Sequence, residues 1–216
     1  TELEQEILAW GINLLVQRNP NPMERPTLDA SCLASNIERV AVLGRLGFEQ
    51  QEIRSQHFAR SLAEPIPPPR LPQGYFIRAT VGEAEVEALV ALHQAAFESD
   101  QMTTEYRLAM MRAPAYAPDM DWLAISPTGN LAAFCVGSLD ENDPTCGRLD
   151  PVGTHPQYRQ LGLGTALMNH GLAELKRRGA RKALFGTSSE NNAMRSLGER
   201  VGFKLESESL WFAREI

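Results

Sequence analysis

The sequence predicts an α/β fold in which helices flank a mixed central sheet. Two observations support this prediction. Apolar runs typical of strands alternate along the 216 residues with segments whose apolar residues recur at helical spacing. In addition, a short apolar strand that ends near Thr154 leads through a turn containing Gly162 and Gly164 into an amphipathic helix. The alternation favours a sheet with crossover helices over an all-helical or all-strand architecture.

Composition excludes several classes of function. The chain has 22% charged residues and a net charge of −6, so we expect no basic surface for nucleic acid. The apolar runs are too short to cross a bilayer, so we expect no membrane association. The three cysteines are odd in number and show no CxxC spacing, which favours reduced thiols and predicts a cytoplasmic protein. The four histidines are scattered, so we expect no metal site. Thr1 stands where a methionine would begin a chain, so we expect that upstream residues were removed.

The first part of the chain, residues 1–62, is predicted to hold four elements: a helix over 2–18, a strand over 27–31, a helix that Ser35 or Asn36 caps and Gly47 ends, and an extended segment over 50–62. A proline-rich stretch follows, and such stretches favour polyproline II geometry. We therefore predict a linker over 63–72 and a complete domain over 73–216.

Within residues 73–216 the pattern predicts strands alternating with helices. The predicted strands cover 75–79, 122–126, 131–139, a segment ending at 154, 182–187 and 203–213, and the predicted helices cover 82–97, 103–112, 165–178 and 192–201.

An internal repeat links the two parts. The segment from Asn36 to Phe48 matches the segment from Asn191 to Phe203, and each ends in Gly-Phe. After one insertion or deletion the match resumes with Phe-Ala-Arg in both copies. Residues 1–62 are therefore predicted to be the second half of another copy of the domain, without its glycine turn.

The turn before the helix at 165–178 is predicted to bind phosphate. The first N–H groups of a helix lack intrahelical partners, and the helix dipole adds positive charge there. Gly162 and Gly164 carry no Cβ, so a ligand can approach the backbone. Arg159 and Gln160 supply side-chain donors beside them.

Spacing separates the competing phosphate motifs. A P-loop requires Gly-Lys-Ser/Thr, but Gly164 is followed by Thr-Ala. The dinucleotide fingerprint requires Gly or Ala three residues after Gly164, where Leu167 stands. A plain glycine turn before a helix remains the alternative. The pattern Arg159-x-x-Gly162-x-Gly164 resembles the acetyl-CoA signature of the GCN5-related N-acetyltransferases.

The resemblance covers residues 74–216 and includes a second motif from Asn191 to Phe203. It implies a mostly antiparallel sheet in which two neighbouring strands splay apart, and acetyl-CoA as cosubstrate. By this resemblance the strand end contacts pantetheine, the turn holds the diphosphate, and Asn191 either contacts pantetheine or caps a helix. The implied binding residues are Val152, Gly153, Thr154, Arg159, Gln160, Leu161, Gly162, Leu163, Gly164, Thr165 and Asn191.

The same resemblance implies transfer of an acetyl group to a primary amine by direct attack in a ternary complex. The acceptor class stays open among small molecules, peptide N-termini and lysines; tandem members of the family acetylate, among others, small amino-sugar thiols. Gly198 replaces the tyrosine that usually protonates the thiolate, and Gly186 stands where some relatives carry a glutamate base. Water or a serine is then the alternative acid, the serines being Ser188, Ser189 and Ser196.

The candidate general base is Asp150, because a carboxylate before Pro151 on the central strand has no evident packing purpose. An ordinary strand-edge aspartate is the alternative. Weaker candidates are Glu98 and Asp100, and His155 is predicted to face solvent in a turn. Three aromatic residues either line an acceptor pocket or belong to the core: Tyr106, Tyr116 and Trp122.

Two classes of function follow. The first is an acetyl-CoA-dependent N-acetyltransferase with an unidentified amine acceptor. The second is a catalytically silent acyl-CoA-binding or assembly module, which the missing tyrosine and glutamate favour. A homodimer is the expected assembly if the chain associates.

Overall fold

A computed structural model describes residues 2–18 and 26–215. Its helices are α1 Glu2–Arg18, α2 Ile37–Arg45, α3 Val86–Phe97, α4 Thr104–Met111, α5 Leu163–Arg177 and α6 Asn192–Arg200. Its strands are β1 Thr27–Leu33, β2 Glu49–Ser61, β3 Phe76–Ala79, β4 Asp121–Ile125, β5 Leu131–Leu139, β6 Cys146–Thr154, β7 Lys182–Ser188 and β8 Lys204–Glu215. The predicted alternation of strands and helices is therefore confirmed.

The chain divides into two compact units. The first contains the described residues of Thr1–His57, Thr187–Asn192 and Leu205–Ile216, and the second contains Phe58–Gly186 and Ala193–Lys204. These boundaries pass through β2, β7 and β8 and through the first turn of α6. The predicted linker at 63–72 lies inside the second unit and has no regular element. The predicted division at that linker stays a prediction.

In the first unit β8 lies between β1 and β2. β1 and β8 are antiparallel, with Thr27 opposite Glu215 and Leu33 opposite Ser209. The Asn36 side chain accepts a hydrogen bond from the Arg39 amide at 3.1 Å, as expected for the residue that caps α2. The small core of this unit consists of Cys32, Leu43, Phe48, Leu210 and Phe212.

In the second unit the strand order is β7-β6-β5-β4-β3. β3, β4, β5 and β6 pair antiparallel in sequence, and only β6 and β7 are parallel. The predicted mixed, mostly antiparallel sheet is confirmed. One face packs on α5 and the other on α3, so the sheet is covered on both sides by helices.

The repeat seen in the sequence is also visible in the element boundaries. Three elements of the first segment each begin 155 positions before a matching element near the end of the chain. The matching pairs of first residues are Thr27 of β1 with Lys182 of β7, Ile37 of α2 with Asn192 of α6, and Glu49 of β2 with Lys204 of β8. Two residues after the end of each helix stands a glycine with positive φ, Gly47 at 79° and Gly202 at 88°. The segments 27–61 and 182–215 therefore share the same order of strand, helix and strand.

Candidate active site

Strand β6 changes its neighbours halfway along its length. Its pairing with β7 covers only Cys146, Gly147 and Arg148. From Leu149 to Thr154 the strand pairs with β5 alone among the described residues. The second half of β6 therefore has a free edge, which leaves backbone groups available for a ligand that binds like an added strand.

The register with β5 identifies these backbone groups. The His155 amide donates to the Ala132 carbonyl at 2.9 Å, and the next opposed pairs are Thr154 with Ala133 and Gly153 with Phe134. Because hydrogen-bonded and non-hydrogen-bonded pairs alternate in antiparallel strands, Thr154 and Val152 direct their N–H and C=O groups away from β5. Two of the residues predicted to bind the cosubstrate, Val152 and Thr154, therefore present backbone groups at the free edge, whereas the backbone groups of Gly153 face Phe134 on β5.

The turn before α5 concentrates unpaired amides. Gly162 has a φ of 77° as the residue that precedes the helix, and a Cβ there would meet nothing within 4 Å. Gln160 also has a positive φ, 66°. Nothing in the described part of the chain accepts a hydrogen bond from the amides of residues 160–165. Six successive donors at the positive end of a helix suit a phosphate or diphosphate.

Helix α5 begins at Leu163, two residues before the predicted start at 165. The left-handed conformation of Gly162 lets the helix start immediately after it. Gly164 therefore lies in the first helical turn, where a Cβ would approach the Leu197 side chain to 3.1 Å. Packing between α5 and α6 gives a second reason for this glycine. Leu163 is buried and offers the site only its backbone amide.

Arg159 is engaged with α3 rather than free. Its guanidinium donates to the Ala96 carbonyl at 3.2 Å and to the Glu98 carboxylate at 3.1 Å. Both charged side chains are exposed, so this ion pair is weak and can exchange for a stronger anion. Glu98, a weaker candidate for the base, is thus a partner of the predicted phosphate-binding arginine.

Asp150 lies where β6 bulges. Val152 is opposite Cys135 and Leu149 is opposite Gly137, so β6 contains one extra residue across Asp150–Pro151. The Asp150 side chain is exposed. Partial loss of hydration nevertheless raises the pKa of its carboxyl, while the charge of Arg148 lowers it. The assignment of Asp150 as the general base stays a prediction, supported by its position beside the free edge.

Gly198 leaves no room for the tyrosine that it replaces. A Cβ at this position would lie 2.3 Å from the ring of Phe185, which is buried and stacks on Phe58 with ring centroids 4.7 Å apart. Of the serines predicted as alternative acids, Ser188 and Ser189 accept hydrogen bonds from backbone amides within the first unit. The third serine, Ser196, is exposed on α6. The packing of Phe185 therefore gives a structural reason for Gly198, and the identity of the acid stays a prediction.

Most other candidates have structural roles. The His155 Nδ1 accepts from the Gln157 amide at 3.2 Å and caps the short turn after β6. Trp122 is 2% exposed and packs edge-on against His170, so it belongs to the core. Tyr106 is exposed on α4. Asp100 is likewise exposed, in the segment between α3 and α4.

Sequence reasoning missed a buried charged group that fixes α4 on β4. Arg107 of α4 forms an ion pair with Asp121, which has no solvent exposure, and Tyr116 donates to the same carboxylate at 2.7 Å. Burial raises the pKa of Asp121, against the opposing effects of Arg107 and Tyr116. The available sequence signal is an acidic residue, Asp121, directly next to the apolar run that forms the rest of β4.

Asn191 lies in the first unit, immediately before α6. Its predicted contact with pantetheine stays a prediction. Within residues 2–18 and 26–215, no three His, Cys, Asp or Glu side chains come together as metal ligands. Over the same residues, no helix has the length and apolarity needed to span a bilayer.

Comparison with known proteins agrees with this geometry. The acetyltransferase (GNAT) family matches residues 86–203. A mycothiol acetyltransferase of Salinispora arenicola is 33% identical over 165 residues, which cover 73% of this chain and 53% of that protein. Its counterpart from Salinispora tropica is 32% identical over 67% of this chain and 49% of its own length. The chain thus spans about half the length of these curated relatives.

Solved structures share the fold. A GCN5-related N-acetyltransferase from Sphaerobacter thermophilus has a TM-score of 0.83 and 23% identity, covering 99% of this chain and 68% of that one. A tandem GNAT protein from the clavulanic acid biosynthesis pathway has a TM-score of 0.71 and 18% identity, and the match covers 88% of this chain and 64% of that one. With the glycine turn, the half-open β6 and the family match over 86–203, the chain belongs to the acetyltransferase (GNAT) family.

Proposed function

We propose that this protein transfers an acetyl group from acetyl-CoA to a primary amine by direct attack within a ternary complex. The observation that carries the proposal is the run of unpaired amides at residues 160–165, placed at the start of α5 and next in the chain to the free edge of β6. Diphosphate at the turn and pantetheine along β6 would satisfy both sets of donors. The absence of a Cβ at Gly162 leaves the approach to the backbone open.

The chemistry requires a proton acceptor and an oxyanion site. The incoming ammonium loses a proton to Asp150, directly or through water, and its nitrogen attacks the thioester carbonyl carbon. A backbone N–H group of the free edge that pantetheine leaves unpaired stabilises the negative oxygen of the tetrahedral intermediate. The carbon–sulfur bond then breaks, and the CoA thiolate takes a proton from solvent, since Gly198 supplies no hydroxyl.

The acceptor is proposed to be related to mycothiol, because the curated relatives are named mycothiol acetyltransferases. Residues 1–62 are proposed to be half of a second copy of the same domain. The constant separation of 155 positions between their elements and those at 182–215 supports this proposal. A cytoplasmic location and a homodimer remain predictions.

A catalytically silent acyl-CoA-binding module is the second candidate. The Phe185 ring fills the space beside Gly198, so the usual acid is missing and its place is occupied. Such a protein would bind acetyl-CoA through the same turn without releasing thiol.

One assay separates the two candidates. Release of free CoA thiol from acetyl-CoA is measured with a panel of primary amines, and acetyl-CoA binding is measured by calorimetry. Thiol release that depends on the amine, with the acetylated product found by mass spectrometry, is the expected result. Binding without turnover on any amine would establish the silent module, and no binding would contradict both.

A further inference from the structure

A shallow cavity of about 240 Å³ opens beside the paired half of β6. Its walls come from the end of the β5–β6 hairpin and from β7. The mechanism described above uses none of its lining residues. Those that matter here are Ser138, Asp140, Glu141, Cys146, Arg148 and Leu184.

The cavity lies on the sheet face opposite α5. Gly147 and Leu149 both face α5. A Cβ added at Gly147 would contact Leu175 of α5, and the Leu149 side chain lies where a Cβ added at Gly171 of α5 would stand. Side chains alternate along a strand, so Arg148 points to the other face. Arg148 on β6 is opposite Ser138 on β5 and opposite Leu184 on β7. These three residues therefore form a row across three strands.

The chemistry of the cavity is that of a polar recognition site. Among the described residues, the Arg148 guanidinium has no hydrogen bond and no ion pair within 4 Å. Asp140 already accepts the amides of Asn142 and Asp143 through Oδ1, which fixes the hairpin turn. The Arg148 guanidinium therefore lines the cavity together with the carboxylates of Asp140 and Glu141. This arrangement favours a cationic ligand that also carries an oxygen able to accept a hydrogen bond from Arg148.

The cavity is close to the proposed base. Arg148 and Asp150 are two positions apart on one strand, a distance of about 7 Å along the backbone. A volume of about 240 Å³ lies just below the roughly 300–1,000 Å³ that is typical of small-molecule pockets. The space thus suits one sugar-sized or amino-acid-sized group rather than a folded protein segment.

We propose that this cavity binds the acceptor, and that Arg148 recognises a hydroxyl or carbonyl oxygen that the acceptor carries near its amine. This inference rests on the proposed acetyl transfer. Asp140 and Glu141 attract the cationic acceptor, and Ser138 adds a donor and an acceptor of hydrogen bonds. Arg148 is thereby a determinant of specificity rather than a group that takes part in proton transfer.

The test compares glucosamine with cyclohexylamine, a ring amine of similar size without hydroxyl groups. In Arg148→Gln, kcat/KM for glucosamine should fall about tenfold through a higher KM, because charge-assisted hydrogen bonds are lost. At a pH well above the acid limb of the rate profile, where Asp150 is deprotonated in both proteins, kcat/KM for cyclohexylamine and the KM for acetyl-CoA should not change. Arg148→Lys should recover part of the loss. Lys176→Gln, which removes an exposed charge from α5 on the opposite face, is the matched control.

A second measurement does not depend on turnover. Cys146 is half-buried while Cys32 and Cys135 are buried, so iodoacetamide labelling at Cys146 can be followed by mass spectrometry. Glucosamine should slow this labelling in the wild type and not in Arg148→Gln. Protection without thiol release would defeat the proposed transferase but keep the cavity as a binding site. Equal effects of Arg148→Gln on both amines, or no protection of Cys146, would overturn the inference.

Discussion

The two halves of β6 differ in what lies at their edges. Cys146 to Arg148 have strands on both sides, whereas Leu149 to Thr154 have β5 on one side and a free edge on the other. The first half packs against α5 and forms part of a polar cavity; the second presents backbone donors and acceptors. An exposed strand edge is usually a liability. The contrast is consistent with the proposed use of the free edge by a ligand, with the packed half holding the strand in place.

Gly164→Glu should give the largest effect, because it alters the turn that follows the free half of β6. Its Cβ would press on Leu197, and its carboxylate would stand among the donors proposed for the diphosphate. We expect acetyl-CoA affinity to fall about 100-fold or more, from charge repulsion in a partly desolvated site. Isothermal titration calorimetry measures the change.

The matched control for that variant is Gly44→Glu. Gly44 lies in α2, and a Cβ there would meet nothing within 4 Å. Its affinity for acetyl-CoA should equal that of the wild type. An unchanged affinity in Gly164→Glu itself would show that the turn before α5 is not the phosphate site.

Asp150→Asn tests the bulge that separates the two halves. If Asp150 is the base, kcat should fall about 100-fold at saturating acetyl-CoA while acetyl-CoA affinity is preserved. The acid limb of the pH–rate profile should also disappear. In the wild type this limb should lie above the range of an ordinary aspartate, because loss of hydration raises the pKa of Asp150. The control is Asp29→Asn, because Asp29 is an exposed aspartate on β1. An unaltered pH–rate profile in Asp150→Asn would exclude Asp150 as the base.

Gly147→Ala tests the packed half through stability. The added Cβ would lie 2.5 Å from a Leu175 methyl group, so we expect unfolding to require about 1–3 kcal/mol less free energy. Urea unfolding followed by circular dichroism measures this loss. Gly44→Ala should change stability in the opposite direction, by up to about 1 kcal/mol, because it adds a good helix former at an open position. Equal effects of the two variants would show that Gly147 is not a packing position.

The sequence predicts the elements of β6, α5 and α6 because their signals are local. Apolar spacing locates the strands and helices, and Gly162 and Gly164 identify the turn. The predicted start of α5 at residue 165 is two residues late, because the φ of 77° at Gly162 is a property of the folded backbone that the sequence pattern does not show. Pro151 within a strand was a readable sign of the bulge.

The remaining features depend on contacts between distant residues. No local pattern indicates that Phe185 occupies the space beside Gly198, or that β6 and β7 pair over only three residues. The ion pair between Arg107 and Asp121 likewise needs α4 to fold over β4. Register and side-chain packing decide these features, and neither can be read from spacing along one chain.

The smallest predicted effect comes from the electrostatic interaction between Arg148 in the packed half of β6 and Asp150 in the free half. The positive charge of Arg148 lowers the pKa of Asp150, so Arg148→Gln should raise that pKa further. A base with a higher pKa is deprotonated only at higher pH, so the acid limb of the kcat profile should move upward. The shift should shrink at high ionic strength, because both side chains are exposed. Lys176→Gln should leave the limb in place; a downward shift in Arg148→Gln would mean that another carboxyl controls the rate.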